Sequence, residues 1–419
     1  MLSQPLRAGG YDLAAERVWL KLLYYEANSA SPTGWESATL SEQFFFADDG
    51  RQNPTSELAA TLVAMSEPVG DDINDHAQCR FPARYLWLKS HAQLASAPNL
   101  DCPKFQEWIH GGQTDSISVV FVTGYLGNPA SYYGHTLLKF NSSTNRNTSD
   151  LLDTTVNYGA IIPPNIGPIS YLYNGAVGGF NAGFSHVEYY FHDHNYGELE
   201  LRDLWEYELN LSEQEVRFVL AHSWEVLGKE YVYYFFRKNC AYRMAEVIEV
   251  IDGIELIPPR RGWTVPQQII SRAVSTRRRG ETLIRKIKYY PSRQSKLYEK
   301  FRNLSETEKA VMRRIVRNFD VQDTRTSLGS LETASQIRVL DAALDYYQYR
   351  MPKDERKPGD LKKRYADLLK IRFELPTAKA AASVRPRRGP HQDRAPGYAS
   401  IGFAINDTHS DSGLIRVRP

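Results

Sequence analysis

The residue pattern changes period twice along the chain, and this constrains the fold more than any other feature. From Leu13 to about Trp108 apolar residues recur at helical spacing, with Trp19, Leu22, Leu23 and Tyr24 on one stripe and Leu58, Leu62 and Met65 on another. Asn53-Pro54-Thr55-Ser56-Glu57 reads as the cap of the second helix. Short β-branched runs then take over: Ile117 to Phe121, Thr136 to Phe140, and Val156 to Ala160, separated by turn chemistry at Gly127-Asn128-Pro129-Ala130. Helical spacing returns after Pro266 with Ile269, Ile270, Ala273 and Val274, then behind the capping-box pair Ser305 and Glu308, then from Ala334 to Tyr349. Alternating strands between two helical regions predict an α+β chain with an antiparallel sheet.

Composition removes several function classes. A net charge of +2 over 419 residues lacks the basic excess that phosphate-backbone binding demands, so nucleic acid is not an expected partner. One local exception runs from Thr276 to Lys300, where Arg277, Arg278, Arg279, Arg285, Lys286, Lys288, Arg293, Lys296 and Lys300 outnumber Glu281 and Glu299. It reads as a solvated, helix-rich surface, with lipid headgroups or an anionic envelope polymer as the alternative. No window holds the roughly 18 apolar residues of a membrane-spanning helix, and Met1-Leu2-Ser3-Gln4-Pro5 lacks the features of a signal peptide. The 26 tyrosines, many of them adjacent, suit half-buried packing or a groove for an amphiphilic substrate.

Three cysteines are too few for a disulfide-built fold. Cys79 and Cys102 flank a helical stretch containing Trp87 and Leu88, and are either a bridge or two unrelated buried thiols. A bridge would imply maturation in an oxidising compartment and would leave Cys240 unpaired. Zinc is not expected, because neither cysteine has a Cys-x-x-Cys neighbour and His76 alone cannot complete a four-ligand site.

Cys240 follows the polar turn Lys238-Asn239 and precedes the amphipathic run Met244, Val247 and Ile248, which places it at a helix N-terminus. Free N–H groups and a partial positive charge there lower a thiol's pKa and can hold an oxyanion. His135, at the start of a strand, is the candidate base, and Gly134 beside it leaves room for a close-approaching group. Asn157 in the next strand is the candidate to orient the imidazole, with Asp153 as runner-up. The blander readings are a buried small hydrophobe for Cys240 and a structural histidine for His135. His186, His192 and His194 with Glu188 and Asp193 form the densest potential ligand cluster; an extended His192-Asp193-His194 would put both imidazoles on one face, but a polar turn is the preferred reading.

Five ordered motifs, Asn128-Pro129-Ala130-Ser131-Tyr132-Tyr133-Gly134-His135-Thr136-Leu137-Leu138-Lys139, Val156-Asn157-Tyr158-Gly159, Gly175-Ala176-Val177-Gly178-Gly179-Phe180, Glu200 to Leu209, and Phe235-Phe236-Arg237-Lys238-Asn239-Cys240-Ala241-Tyr242-Arg243, resemble the bacterial Lnb N-terminal periplasmic domain family. The resemblance implies a periplasmic, cysteine-dependent domain of envelope proteins, one branch of which is a lipoprotein N-acyltransferase. It also implies a circularly permuted papain-like core of the NlpC type, with Cys240 as nucleophile and His135 as base. Ala241 stands where relatives often carry a small hydroxyl residue. Residues 13–108 resemble the helical region preceding the core in longer members, and Glu246 to about Ile371 their helical continuation. Arg388 to Arg394 is similar to the start of a β-rich, outer-membrane-type domain.

The expected organisation is therefore a helical region 1–110, the core 111–258, a helical region 259–377, and a linker with the start of a β-rich domain at 378–419. Pro258-Pro259-Arg260-Arg261-Gly262-Trp263 is a turn that could cover the core, and Pro352–Gly359 and Ala378–Gly397 read as linkers. The expected function is a periplasmic acyl transferase or hydrolase on an envelope lipid or lipoprotein, working through a thioester. The alternatives are an amidase or peptidase on peptidoglycan, or a non-catalytic envelope module. No cofactor or metal is expected, and the chain is expected to be the soluble part of a protein tethered to the outer membrane.

Overall fold

The computed structural model describes residues 7–8, 11–91, 93–94, 97–109, 112–125, 132–142, 150–259, 263–351, 358–377, 388–392, 399–403 and 413–417. Asn128–Ser131, the first third of the first motif, Arg260–Gly262, and most of the two expected linkers lie outside them.

Seven strands form one antiparallel sheet: β1 (Thr114–Val122), β2 (His135–Ser142), β3 (Thr154–Ala160), β4 (Phe180–Glu188), β5 (Leu204–Leu209), β6 (Glu230–Tyr233) and β7 (Ile284–Tyr290), in the order β6-β4-β3-β2-β1-β5-β7. Alternation sorts their side chains between two faces. Ile117, Val119, Phe121, Leu138, Phe140, Val156 and Tyr158 enter the main core. Val120, Val122, Leu137 and Leu204 form a smaller apolar patch with Tyr189.

The N-terminal segment contributes to the main core rather than forming a separate one, with Trp19, Leu22, Phe44, Leu58 and Trp87 in the same cluster as the sheet residues. Its helices include α1 (Pro54–Ser66), capped by Asn53 accepting from the Ser56 N–H at 3.1 Å, and α2 (Pro82–Ser90). Cys79 and Cys102 are bridged. Arg84 is completely buried between the rings of Phe44 and Phe81, 4.3 and 4.0 Å from their centres, and its Nη1 meets Glu57 at 3.2 Å. Its backbone N–H donates to Glu225 at 2.9 Å. The Cys79-to-Arg84 motif is thus a structural clamp between the N-terminal segment and the helix that carries Glu225.

Further along lie α3 (Pro168–Val177), α4 (Glu213–Val226), α5 (Cys240–Ile248) and α6 (Pro266–Ser275); α4 starts on a capping box made by Ser212 and Glu215. Helix α5 packs across β2 and β3, and α4 lies against β1. The region beginning at 259, expected to be helical, also supplies edge strand β7. Within the basic run, Arg277–Arg278 pairs with Glu281–Thr282 as a short hairpin, so the expected helix-rich surface is half strand. Helices α7 (Arg293–Arg302), α8 (Glu306–Arg317), α9 (Val321–Gly329), α10 (Thr333–Arg350) and α11 (Pro358–Phe373) enclose a second core through Leu297, Ile315, Leu340 and Leu368. Asp203 joins this body to the sheet, accepting from the Ser292 N–H at 2.8 Å and from the Tyr289 and Ser295 hydroxyls at 3.0 Å. Towards the C-terminus, His391 meets the Tyr207 hydroxyl at 2.9 Å, and the backbone of 399–403 pairs with that of 413–417.

Candidate active site

Helix α5 begins at the thiol. Asn239 is its N-cap: the side-chain oxygen accepts from the Tyr242 N–H at 3.2 Å, while Nδ2 donates to the carbonyls of Phe235 at 3.1 Å and Thr264 at 2.7 Å. All of the amide's polar atoms therefore serve to fix the turn that presents Cys240 as the first helical residue. Cys240 is 4% exposed and unbridged.

His135 opens β2, half-buried at the end of the sheet. Its Nε2 and the Asn157 Oδ1 are 2.6 Å apart, which leaves Nδ1 as the nitrogen for the thiol. Burial alone would lower the imidazole pKa; the negative charge and hydrogen bond of Cys240, with that of Asn157, outweigh it and hold the ring above its ordinary value. The converse applies to the thiol. Burial pushes its pKa up, but the charge and hydrogen bond of His135 and a hydrogen bond from the Thr136 backbone bring it below the ordinary 9.0. Each group favours the ionised form of the other.

Gly134 has φ +95°, and a Cβ there would lie 2.7 Å from the Val122 carbonyl oxygen and 2.8 Å from the Phe121 ring. The close-approaching group is the neighbouring strand, and the glycine lets the chain turn tightly into His135. Asp153 is committed elsewhere: with Asp150 and Glu206 it surrounds the buried Lys139 ammonium, at 3.4, 3.4 and 3.2 Å respectively.

Residues 104–271, which contain all of these groups, match the family profile of the Lnb N-terminal periplasmic domain. The chain carries an Lnb N-terminal periplasmic domain. Residues 11–91 and 287–384, on either side of it, match two domains of unknown function, DUF7843 and DUF7842. No curated protein and no solved structure matches the chain.

The Lnb domain places further groups around the pair, of which Tyr233 and Tyr196 have no counterpart among the candidates named from sequence. The Tyr233 hydroxyl takes a hydrogen bond from the Cys240 backbone N–H, and burial, then the thiolate charge, keep its pKa far above the ordinary value, so it retains its own proton. Tyr196 lies with its ring centre 6.0 Å from that of His135 and is pushed up to about 12, by burial first. His192 stacks on Tyr196 at 5.5 Å; burial and the neighbouring His135 lower it to about 3, so it is neutral. Arg202 holds the Thr123 carbonyl at 2.6 Å and sits 4.9 Å above Tyr196. Arg202 stands in one of the five motifs, which was a usable signal; nothing local marked Tyr233 or Tyr196, and His192 was marked only as a potential metal ligand. Tyr158 is fully buried under α5 near Arg243, raised to about 12 chiefly by burial, and takes a packing position.

The extended geometry considered for His192-Asp193-His194 is not formed. Tyr189–His192 is helical and Asp193–Leu199 is a π-helical turn, which buries His192 and leaves His194 exposed. Among the described residues no group of three or more His, Cys, Asp or Glu could hold a metal ion.

Proposed function

We propose that the Lnb domain catalyses acyl transfer or hydrolysis on an envelope lipid or lipoprotein, with Cys240 as nucleophile, His135 as acid and base, and Asn157 as the residue that positions the imidazole. The observation that carries this reading is a buried thiol at a helix N-terminus beside an imidazole, each favouring the ionised form of the other. The thiolate attacks the acyl carbonyl carbon, forming the C–S bond while the carbonyl π electrons move to oxygen. The oxyanion is met by the protonated Tyr233 hydroxyl, beside the positive end of α5. The intermediate collapses, expelling the leaving oxygen or nitrogen, which takes its proton from His135 and leaves a thioester. Neutral His135 then accepts a proton from an amine or water as it attacks the thioester, and the thiolate departs.

On this reading the core is a permuted papain-like fold of the NlpC type. The order of histidine on a strand and cysteine on a following helix supports that assignment. The family places the domain in the periplasm; the bridge between Cys79 and Cys102 accords with that compartment. Association with the outer membrane through a β-rich C-terminal domain is part of the proposal.

The test is intact-mass spectrometry after exposure to an envelope extract of lipids and lipopeptides. Wild-type protein is expected to carry an acyl adduct on Cys240 that hydroxylamine removes, and His135→Ala to accumulate none. Processed muropeptides without an adduct would shift the assignment to an amidase or peptidase, and neither product would defeat the enzymatic reading.

A further inference from the structure

No Asp, Glu, Lys or Arg occurs from Thr154 through Val187, in a chain that is 24% charged. Helix α3 lies inside that stretch. One side of it is fixed to the core: the Tyr171 ring is 5.0 Å from that of Phe235, and the Phe235 N–H donates to the Gly175 carbonyl at 2.8 Å. A Cβ at Gly175 would sit 2.2 Å from the Phe235 ring, so only glycine permits this approach. The other side is bare. Ile169 is 85% exposed and Tyr173 66%, and Leu172 and Val177 complete the stripe at helical spacing. Phe236 and Trp263, both exposed, extend it; the Thr264 N–H donates to the Phe236 carbonyl at 2.7 Å and holds their segments side by side.

We propose that this stripe docks on a phospholipid leaflet, with α3 lying in the plane of the interface and Phe236 and Trp263 at headgroup level. A surface helix in water ordinarily carries charges on its outer face, and this one carries none. Aliphatic side chains with aromatic neighbours are the composition of an interfacial helix. Arg237, exposed and stacked 4.5 Å over Tyr234, supplies a cation beside the patch, where lipid phosphates would lie. A second copy of the chain is a poorer occupant. Ten residues of helix span about 15 Å, whereas a stable interface needs about 20–30 residues on each side.

The patch also adjoins the thiol. Asn239 bonds the carbonyls of Phe235 and Thr264, the neighbours of Phe236 and Trp263, so the turn that presents Cys240 is continuous with the docking face. The docking does not depend on the chemistry proposed for Cys240 and is tested without it.

The full chain carrying Cys240→Ser is mixed with vesicles of phosphatidylethanolamine and a minor share of phosphatidylglycerol, and binding is read by co-sedimentation. Binding is expected, and Ile169→Glu with Leu172→Glu should weaken it at least roughly tenfold. Phe373→Glu, exposed on the C-terminal helical body, should leave it unchanged. Near-ultraviolet circular dichroism matching the parent shows that the variants remain folded. Binding that survives the double substitution but vanishes without phosphatidylglycerol would overturn the proposal in favour of the basic run at 277–300. Absence of binding, or self-association that the double substitution abolishes, would overturn it as well.

Discussion

Cys240 and His135 each favour the charged form of the other, and removing either should expose the burial penalty of the survivor. The sign follows from the thiol's two opposing influences. Wild-type Cys240 should be alkylated by iodoacetamide with an inflection below the ordinary 9.0, the rate falling as pH drops through that lowered pKa. In His135→Ala burial loses its main opposition, so the inflection should move upward and labelling near neutral pH should fall by about tenfold or more. An unchanged profile would sink the ion-pair reading. Asn157→Ala removes a hydrogen bond that raises the imidazole pKa, so it should reduce labelling in the same direction by less, roughly threefold to tenfold. These three residues were legible because each sits where simple rules place it: a cysteine after a capping turn, a histidine opening a strand, an amide on the next strand. Tyr233 was not, because its place beside Cys240 arises only when β6 is brought to the start of α5, and the sequence marked His192 as a potential ligand and not as a neighbour of His135.

The start of α5 concentrates structural and chemical demand on one side chain. Asn239 caps the helix and bonds two carbonyls across the turn, so Asn239→Ala should cost the cap, about 1 kcal/mol, and about as much again for buried carbonyls left without donors. Urea denaturation should register a loss of about 2 kcal/mol. Asn239→Asp would retain the capping acceptor but lose both donors, and should be intermediate in stability. Sequence patterning made α5 readable from its apolar spacing and the three central strands from their short β-branched runs, although β1 and β2 bury apolar side chains on both faces. It failed for β7, where Arg285 and Lys286 are exposed, Lys288 reaches the buried Glu206 and Tyr289 packs 4.7 Å from Trp205. Edge strands carry such charges to block further pairing, and a charged edge strand has the same composition as a solvated helix. The π-helical turn at Asp193–Leu199 was equally hidden, because its hydrogen-bond spacing matches neither period that sequence patterns reveal.

At the scale of the whole molecule, the described residues form two large buried cores joined through β7 and Asp203, beside the small patch around Tyr189. The first runs from Leu13 to Ile284 and includes the bridge and the active site; the second begins at Leu297. All seven tryptophans, Trp19 through Trp263, precede β7, so intrinsic fluorescence reports the first body alone, whereas helical dichroism also samples α7 to α11. The Cys79–Cys102 bridge constrains only the first body's unfolded chain, closing a sequence separation of 23. Its removal in a Cys79→Ala, Cys102→Ala variant should therefore lower the fluorescence-detected stability by about 3 kcal/mol. The helical body has its own core and should keep its midpoint, so dichroism should resolve a second transition that does not move with the bridge. Coincident fluorescence and dichroism transitions that shift together in the variant would mean that the contacts through Asp203 bind the two cores into one cooperative unit.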